Sequence, residues 1–314
     1  MLAAVLSVLT IFVLIGVGFF LTRRRFFDDA AGMLFTRTVI CVSLPPMMVY
    51  ELTNGFTRAD LLHAGRALLI PAASYTCCAL VAPFFARLSG VPKGRRGTFV
   101  AMFVASNTIF IGMPVNLALF GPASVPSVLL AYVVNTTYFW TLGEHAIESD
   151  AGRPRPMFSW DHLGQILSPP FMGFVVGVAL VFLGIKLPAF LASAMKLLGG
   201  MTTPLSLLFM GITFAGVSLK EIRFTRDMVA LFFGRFILAP AMIYVFYLLL
   251  PVPPLMAKVF MVQAGMPAIT QAALSAKHCD ADYRYATVMV SATNLASLAV
   301  LPLYMALFHI IFPH

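Results

Sequence analysis

Long apolar stretches recur along this chain, and they limit what it can fold into more than any other feature of the sequence. A helix that crosses a bilayer needs about 20 mostly apolar residues. Ten stretches have that length: 2–22, 33–53, 64–86, 98–120, 123–143, 165–185, 197–218, 228–250, 255–276 and 285–312. Only 11% of the residues are charged, whereas a soluble domain carries about 25%. The sequence therefore predicts an all-α polytopic membrane protein with ten transmembrane helices in a lipid bilayer.

Basic residues are distributed unevenly over the connections between these stretches. Of the 21 lysines and arginines, 15 lie in odd-numbered connections: Arg23, Arg24, Arg25, Arg37, Arg87, Lys93, Arg95, Arg96, Arg153, Arg155, Lys220, Arg223, Arg226, Lys277 and Arg284. The even-numbered connections hold Arg58, Arg66, Lys186, Lys196 and Lys258. Because cytoplasmic loops are enriched in Lys and Arg, this bias predicts that the N-terminus and the C-terminus both lie outside. It also accounts for the formal charge of +9 without a nucleic acid partner.

The two halves of the chain resemble each other. Residues 65–75 and 234–244 share Gly, Arg, Leu, Pro, Ala and Tyr at six of eleven aligned positions. The Ser43 region matches the Thr202 region, and Asn135 matches Asn294. These pairs predict a five-helix unit at 1–143, a cytoplasmic connection at 144–164 and a second unit at 165–314. Because five is odd, the second unit enters the membrane upside down, which predicts a 5+5 inverted repeat.

The tripeptide Gly-Met-Pro occurs in the fourth and in the ninth stretch. Proline removes an N–H and clashes with the preceding turn, and glycine loosens the same turn. We therefore predict helix breaks at Gly112 and Pro114 and at Gly265 and Pro267. In lipid, a broken helix persists only where its freed backbone groups find protein, water or a ligand. Interrupted stretches at matching places in two halves indicate a transporter binding site.

Amide and hydroxyl side chains surround the predicted breaks. Half-helix N-termini favour anions, so we expect a carboxylate substrate. The predicted substrate-binding residues are Asn107, Thr108, Asn116, Asn135, Thr136, Gln263, Thr270, Gln271 and Asn294. The alternative for each amide is an ordinary hydrogen bond between helices. Predicted kinks at Pro45, Pro46 and Pro204 either bring carbonyls towards the site or serve packing alone.

Three charged residues near the ends of apolar stretches are candidates for an electrostatic or coupling role. Arg66 and Arg235 occupy equivalent positions in the two halves, where each could attract an anion at one mouth of the carrier. The alternative is that each side chain extends to the nearest interface. Glu51, at the end of the second stretch, is a partner or protonation candidate, or simply an exposed end charge.

The sequence contains no recognisable catalytic set. There is no P-loop and no HExxH motif among the six histidines, and the four cysteines form no CxxC pair. We therefore predict that the chain is not an enzyme, holds no metal and uses no cofactor.

Several motifs resemble the auxin efflux carrier family over the whole chain. They are Asn107-Thr108, Gly-Met-Pro at 112–114, Ala-Gly-Met-Pro-Ala at 264–268, Leu44-Pro45-Pro46 and Val-Leu-Pro-Leu at 300–303. The family includes bacterial malate and malonate permeases and, more distantly, plant auxin exporters. The resemblance implies ten helices in a 5+5 inverted repeat and crossed broken helices four and nine, which meet at Pro114 and Pro267. It also implies elevator-type transport of organic acid anions across the bacterial inner membrane, often by a homodimer. The plant exporters' long central loop is reduced here to 144–164.

Two other functions remain open on the sequence alone. A sodium-coupled symporter of the bile-acid type also has ten helices and crossed breaks, but its ion site would require several oxygen ligands, including carboxylates. A non-transporting membrane sensor would produce no substrate flux. The sequence leaves open which carboxylate is carried, in which direction, and whether protons, sodium or the membrane potential drive it.

Overall fold

The computed structural model describes residues 2–157, 159–217 and 222–311, so Lys220 lies outside the described residues. Within these ranges the regular structure is helical, apart from one isolated β-bridge between Ser106 and Ala268. The helices, in chain order, are α1 Leu2–Arg23, α2 Asp29–Gly55, α3 Arg58–Leu88, α4 Arg96–Val104, α5 Thr108–Phe120, α6 125–150, α7 Trp160–Ile166, α8 Pro169–Leu183, α9 Ala189–Gly216, α10 Arg226–Leu249, α11 Pro254–Ala264, α12 Gln271–His278 and α13 Tyr283–Ile311. The predicted all-α class is therefore confirmed.

Five of the described helices are long and apolar enough to cross a membrane: α2, α3, α9, α10 and the part of α13 at Tyr283–Tyr304. The bent pair α7 and α8 gives a sixth candidate span. Shorter apolar helices include α5 and α11, which are parts of interrupted stretches. The structure thus supports five or six spans by length and composition, and the count of ten stays a prediction.

The chain forms two compact units, and each takes segments from both halves of the sequence. The first unit comprises Met1–Ala67, Ile109–Leu130 and Leu167–Val217. The second comprises Leu68–Thr108, Ala131–Ile166 and Ser218–His314. Sequence halves and compact units are therefore different divisions of the molecule.

Glycines allow close helix packing in the first unit. A Cβ atom on Gly18 of α1 would overlap the backbone of Leu208 in α9, and one on Gly211 of α9 would overlap the backbone of Ile15 and Phe19. Small residues let helix backbones approach in membranes, where packing replaces the hydrophobic driving force. The α1–α9 contact therefore depends on having no side chain at these positions.

A second contact in the first unit joins α2 to α8 and α9. Gly173 of α8 packs on the backbone of Pro45 in α2. The Ser43 hydroxyl lies 2.6 Å from the Thr202 hydroxyl and donates to the carbonyl of Leu198 at 2.7 Å. Ser43 and Thr202 are the pair that the comparison of the two halves aligned.

Wide π-helical turns precede several of the membrane prolines. They cover Thr38–Ser43, Thr108–Gly112 and Gly234–Leu238, and each ends two residues before a proline: Pro45, Pro114 and Pro240 respectively. A proline ring clashes with the carbonyl one turn back, and a widened turn is one way to relieve that clash.

The predicted break at Gly112 and Pro114 is therefore wrong. Helical structure runs from Thr108 to Phe120, and Pro114 lies inside it. Pro45 and Pro46 likewise lie inside α2 without interrupting it. Met201 divides α9 into Ala189–Gly200 and Thr202–Gly216, and Pro204 lies in the first turn of the second part. In a first turn the missing N–H of proline leaves no hydrogen bond unmade.

Candidate functional site

Two interruptions of helical structure lie in the second unit. The fourth stretch leaves helical structure after Val104 and resumes at Thr108, and the ninth leaves it after Ala264 and resumes at Gln271. The second interruption contains Gly265 and Pro267. The first lies upstream of its Gly-Met-Pro, because the widened turn accommodates Pro114.

The two extended segments pair with each other like a minimal antiparallel ladder. The Asn107 N–H donates to the Pro267 carbonyl at 2.9 Å, and the Ile269 N–H donates to the Ala105 carbonyl at 3.1 Å. Backbone groups freed by the breaks thus bond to each other. Polar backbone groups at membrane depth must form hydrogen bonds within the protein, and this pairing provides some of those bonds.

Asn135 of α6 extends this ladder with its side chain. Its Oδ1 accepts from the Ser106 N–H at 2.8 Å, and its Nδ2 donates to the Ser106 carbonyl at 3.0 Å. The Tyr75 hydroxyl also donates to Oδ1, at 2.9 Å. The Asn135 amide therefore pairs with both backbone groups of Ser106, as a neighbouring strand would, and these bonds all lie within the protein.

Thr293 and Tyr304 of α13 support the other break. The Thr293 hydroxyl accepts from the Ala268 N–H at 3.2 Å. The Tyr304 hydroxyl donates to the Phe236 carbonyl at 2.8 Å. A Cβ atom at position 265 would overlap the Tyr304 ring, so Gly265 is required by packing here.

Arg235 binds the carbonyl groups at the C-terminal ends of α4 and α11, the helices that precede the two interruptions. Its side chain is 0% exposed. Nε and Nη2 donate to the Met266 carbonyl at 3.1 and 3.0 Å, and Nη2 also donates to Ala264 at 2.6 Å. Nη1 donates to Phe103 at 3.1 Å and to Val104 at 2.8 Å. These bonds use every donor of a guanidinium.

The prediction that Arg235 draws anions at a mouth of the carrier, or else extends to an interface, is therefore wrong. Its sequence counterpart Arg66 is exposed, so the two arginines have different surroundings. Arg235 sits in the π-helical turn Gly234–Leu238 of α10. That wide turn interrupts the regular spacing of side chains at the position that carries the guanidinium.

The position of Arg235 changes the electrostatics of the breaks. A helix carries roughly −0.5 charge at its C-terminus and +0.5 at its N-terminus. One guanidinium therefore offsets the C-terminal ends of α4 and α11, whose carbonyls it binds. The helical starts at Thr108 and Gln271 favour anions, and neither buried carboxylate of the described residues is seen to bond to them.

Several predicted binding residues contact one another at the breaks. Asn107 Nδ2 donates to the Thr270 hydroxyl at 3.1 Å. Gln263 Nε2 donates to the Thr108 carbonyl at 3.3 Å. Gln263 and Asn294 are both buried, yet Gln263 Oε1 and both polar atoms of the Asn294 side chain have no partner among the described residues. An unpaired buried amide is costly and invites a ligand.

Other predicted residues lie elsewhere. Asn116 is buried in α5 of the first unit, where its amide donates to the Gly112 carbonyl at 2.7 Å. Thr136 is buried on α6, and Gln271 is half-buried at the start of α12. Glu51 and Arg66 belong to the first unit, with Glu51 half-buried. Whether any of the predicted residues binds substrate stays a prediction.

Sequence reasoning did not select Ser106, Tyr75 and Thr293, which hold the breaks in place. Tyr75 did appear among the positions shared by the two halves, and Ser106 adjoins Asn107. Their roles depend on contacts across 31 and 60 residues of chain. A pattern of local spacing does not reveal such contacts.

Buried acidic side chains lie away from the breaks. Among the described residues they are Glu144 and Glu148, near the end of α6. The groups that approach the breaks are amides, hydroxyls, backbone and one guanidinium.

Comparisons with known proteins agree that the chain is similar to membrane transporters. A family model described as membrane transport protein matches residues 3–305. The chain is similar to an uncharacterized transporter of Methanocaldococcus jannaschii, with 22% identity over 306 residues that cover 95% of this chain and 96% of the relative. It is also similar to an uncharacterized transporter of Methanothermobacter thermautotrophicus, with 26% identity over 306 residues and the same coverage.

Proposed function

Since the chain belongs to the membrane transport protein family, the auxin efflux carrier family that its motifs resemble, we propose that it carries small organic acid anions across the bacterial inner membrane. Membership makes the protein a membrane-embedded transporter. Beyond membership, we propose the substrate class and the transport mechanism.

One observation carries the choice of an anion: a fully buried guanidinium that cancels the negative ends of two half-helices. With those ends offset by Arg235, the N-terminal ends after both breaks provide a net positive potential. A substrate with one or two carboxylates would supply the missing negative charge. A cation would meet no compensating carboxylate among the residues described at the breaks.

Unpaired amide groups offer the specific contacts. Asn294 Nδ2 is a donor that a carboxylate oxygen would accept from, and Gln263 Oε1 would accept from a hydroxyl on a hydroxy acid. Asn107, Thr108, Thr270 and Gln271 complete the proposed lining. A mono- or dicarboxylate is the substrate class that fits these groups.

The mechanism we propose is elevator-type alternating access within a 5+5 inverted repeat of ten helices. Aligned residues of the two halves contact each other at Ser43 and Thr202, as residues close to a pseudo-two-fold axis would do. The second unit contains both interruptions, so it is the one we expect to carry the substrate. We expect both termini outside, from the charge bias, and a homodimer, from the family resemblance.

A ligand screen tests the substrate class. The purified protein is heated with a panel of mono-, di- and tricarboxylates, with neutral amides of the same carbon skeletons as matched controls. A bound ligand raises the melting temperature with the logarithm of its concentration. We expect at least one carboxylate, and none of the amides, to raise it and to be transported into proteoliposomes. Stabilisation by inorganic cations or by the neutral amides alone would contradict the proposal.

A further inference from the structure

A second group of buried polar side chains lies in the second unit, outside the interrupted helices. Glu144 and Glu148 occupy successive turns near the end of α6, and Cys279 follows the last residue of α12. Ligand atoms of these three residues lie within 4.8 Å of one another. Both carboxylates are only 3% exposed, which is unusual for Glu without a strong partner.

Glu144 is left incompletely bonded in this cluster. Its Oε1 accepts from the Cys279 thiol at 3.6 Å, which is a weak bond, and its buried Oε2 has no partner among the described residues. An unpaired buried carboxylate oxygen is a costly feature that a bound cation would remove.

His162 of α7 lies beside this cluster and contacts Glu148. It is 1% exposed, and its Nδ1 lies 3.2 Å from the Met157 carbonyl. A carbonyl only accepts, so Nδ1 carries a proton. In the neutral ring Nε2 then presents a lone pair to Glu148 Oε1 at 3.3 Å. Two acceptors face each other unless a proton or a metal ion joins them.

We propose that Glu144, Glu148 and Cys279 form a three-residue binding site for a divalent transition metal ion. Carboxylate and thiolate ligands together suit Zn²⁺, whereas Ca²⁺ and Mg²⁺ take oxygen ligands. In a tetrahedral zinc site neighbouring ligand atoms are about 3.5 Å apart. The cluster therefore needs to contract by roughly 1 Å, which side-chain rotation supplies.

Existing contacts hold Glu148 in place. Arg155 Nε lies 3.2 Å from Glu148 Oε1, and the Arg155 N–H donates to Glu148 Oε2 at 2.9 Å. The Met157 carbonyl lies 3.2 Å from His162 Nδ1 and orients the ring, whose Nε2 faces Glu148 Oε1. An ion at this site would therefore share Glu148 with the Arg155 guanidinium.

The location gives the ion a structural consequence. It would join the end of α6 to the end of α12, which is the second half of the interrupted ninth stretch. These residues lie outside the predicted spans, on the side that the charge bias predicts to be cytoplasmic. The site does not depend on which substrate is carried.

Metal binding to the purified full-length protein tests the inference. The protein carries a tag without histidine, is stripped with a chelator and is then titrated with Zn²⁺ against a chromophoric zinc chelator. We expect one tightly bound ion per chain by elemental analysis, a rise of several degrees in melting temperature, and thiolate charge-transfer absorption when Co²⁺ replaces Zn²⁺.

Two variants make the test specific. Cys279→Ser and Glu144→Gln should each weaken Zn²⁺ binding at least 10-fold and abolish its effect on the melting temperature. Cys41→Ser, at an exposed cysteine in the first unit, should bind like the unmodified protein. The melting temperature of each stripped variant shows whether it is folded.

Two results would overturn the proposal. One is the absence of stoichiometric metal binding in the unmodified protein, which would mean that an imidazolium at His162 provides the missing cation. The other is unchanged affinity in both Cys279→Ser and Glu144→Gln. If a variant does not fold, the Co²⁺ spectrum of the unmodified protein decides alone, because only thiolate ligation gives the charge-transfer band.

Discussion

Arg235 is the residue on which the interrupted helices most depend. It provides five hydrogen bonds to four carbonyls that no helix partner satisfies. Lysine offers three donors from a single point and no planar fork, so it does not reproduce these bonds. The residue thus combines a structural role, satisfying helix ends, with an electrostatic one, balancing their dipoles.

Removing this side chain should therefore be severe. We predict that Arg235→Met lowers the unfolding free energy by about 3–5 kcal/mol, the range for breaking a buried charge network. Arg235→Lys should lower the unfolding free energy by a smaller amount. The melting temperature in detergent measures the effect. Arg66→Met, at the exposed counterpart, serves as the control and should change it little. Equal losses in both variants would show that Arg235 is not the joint of the two half-helices.

Asn294 and Asn135 occupy aligned positions but have opposite bonding states. Asn135 is fully engaged with Ser106 and Tyr75, whereas the Asn294 amide has no partner among the described residues. An unpaired buried amide adds nothing to folding, so it can be replaced by an apolar group at little cost.

We predict that Asn294→Leu keeps or raises the melting temperature but weakens carboxylate binding about 10- to 100-fold, as the loss of one hydrogen bond to a charged group does. Asn135→Leu should instead lower the melting temperature, because the buried Ser106 N–H loses its Asn135 acceptor and the Ser106 carbonyl keeps only its bond from the Thr108 N–H. Thermal unfolding and ligand titration on the same samples separate the two effects. Full binding by a folded Asn294→Leu variant would exclude that residue from the site.

At the scale of elements, close contact at glycine determines how α1 and α9 pack. Gly211 lies against the backbone of Ile15 and Phe19, whereas a Cβ atom on Gly216 of the same helix would meet nothing within 4 Å. We predict that Gly211→Ala destabilises the protein by about 1–3 kcal/mol, as overpacking does. Gly216→Ala should be neutral or slightly stabilising. The melting temperatures of the two variants test this prediction. Similar melting temperatures would show that α1 and α9 are not in close contact at Gly211.

A single carboxylate caps the first half of the interrupted fourth stretch. Asp150, at the end of α6, accepts from the Gly97 N–H at 2.9 Å and from the Thr98 N–H and hydroxyl at 2.7 and 2.8 Å. The start of α4 has free N–H groups and a positive dipole end. We predict that Asp150→Ala costs about 0.5–2 kcal/mol, the range for losing an N-cap, measured by thermal unfolding.

The same residue gives a pH dependence. Burial raises the pKa of Asp150, although bonds from Thr98 and Gly97 oppose the shift. The folded protein therefore holds this proton more tightly than the unfolded chain, and the stabilisation is complete below about pH 4 and lost as the pH rises through the raised pKa. As the pH rises from about 4 through that raised pKa, the melting temperature of the unmodified protein should fall relative to Asp150→Asn. Exposed Asp161→Asn is the control, and parallel profiles would refute the prediction.

For the whole molecule, the absence of acidic groups at the breaks predicts how transport is driven. Among the described residues the buried carboxylates lie at Glu144 and Glu148. A net anion crossing the membrane experiences about 2.3 kcal/mol per charge for each 100 mV. We predict that flux of a carboxylate into proteoliposomes survives replacement of Na⁺ by choline and follows an imposed potassium diffusion potential. Strict dependence on Na⁺ would favour the bile-acid type of coupling instead.

The sequence alone predicted the fold class and the family better than it predicted the positions of the helix breaks. The helical class and the family followed from the apolar stretches and a few motifs, since bilayer thickness imposes element length on composition. The break at Gly265 and Pro267 was located directly. The break at Pro114 was misplaced, because a proline specifies a missing N–H and a clash but not whether the chain answers with a break or with a wide turn.

By itself, the sequence determined that the chain is helical, lies in a membrane and belongs to a transporter family, because these properties depend on composition and on residues near each other in the chain. Only the tertiary structure decided that Arg235 is buried while Arg66 is exposed, that Asn135 is bonded while Asn294 is not, and that Glu144 lies beside Cys279 across 135 residues of chain. The physical reason is that burial and hydrogen bonding depend on which residues the fold brings together, and those residues are far apart in the chain. Aligned residues with the same identity acquire different roles when different partners reach them.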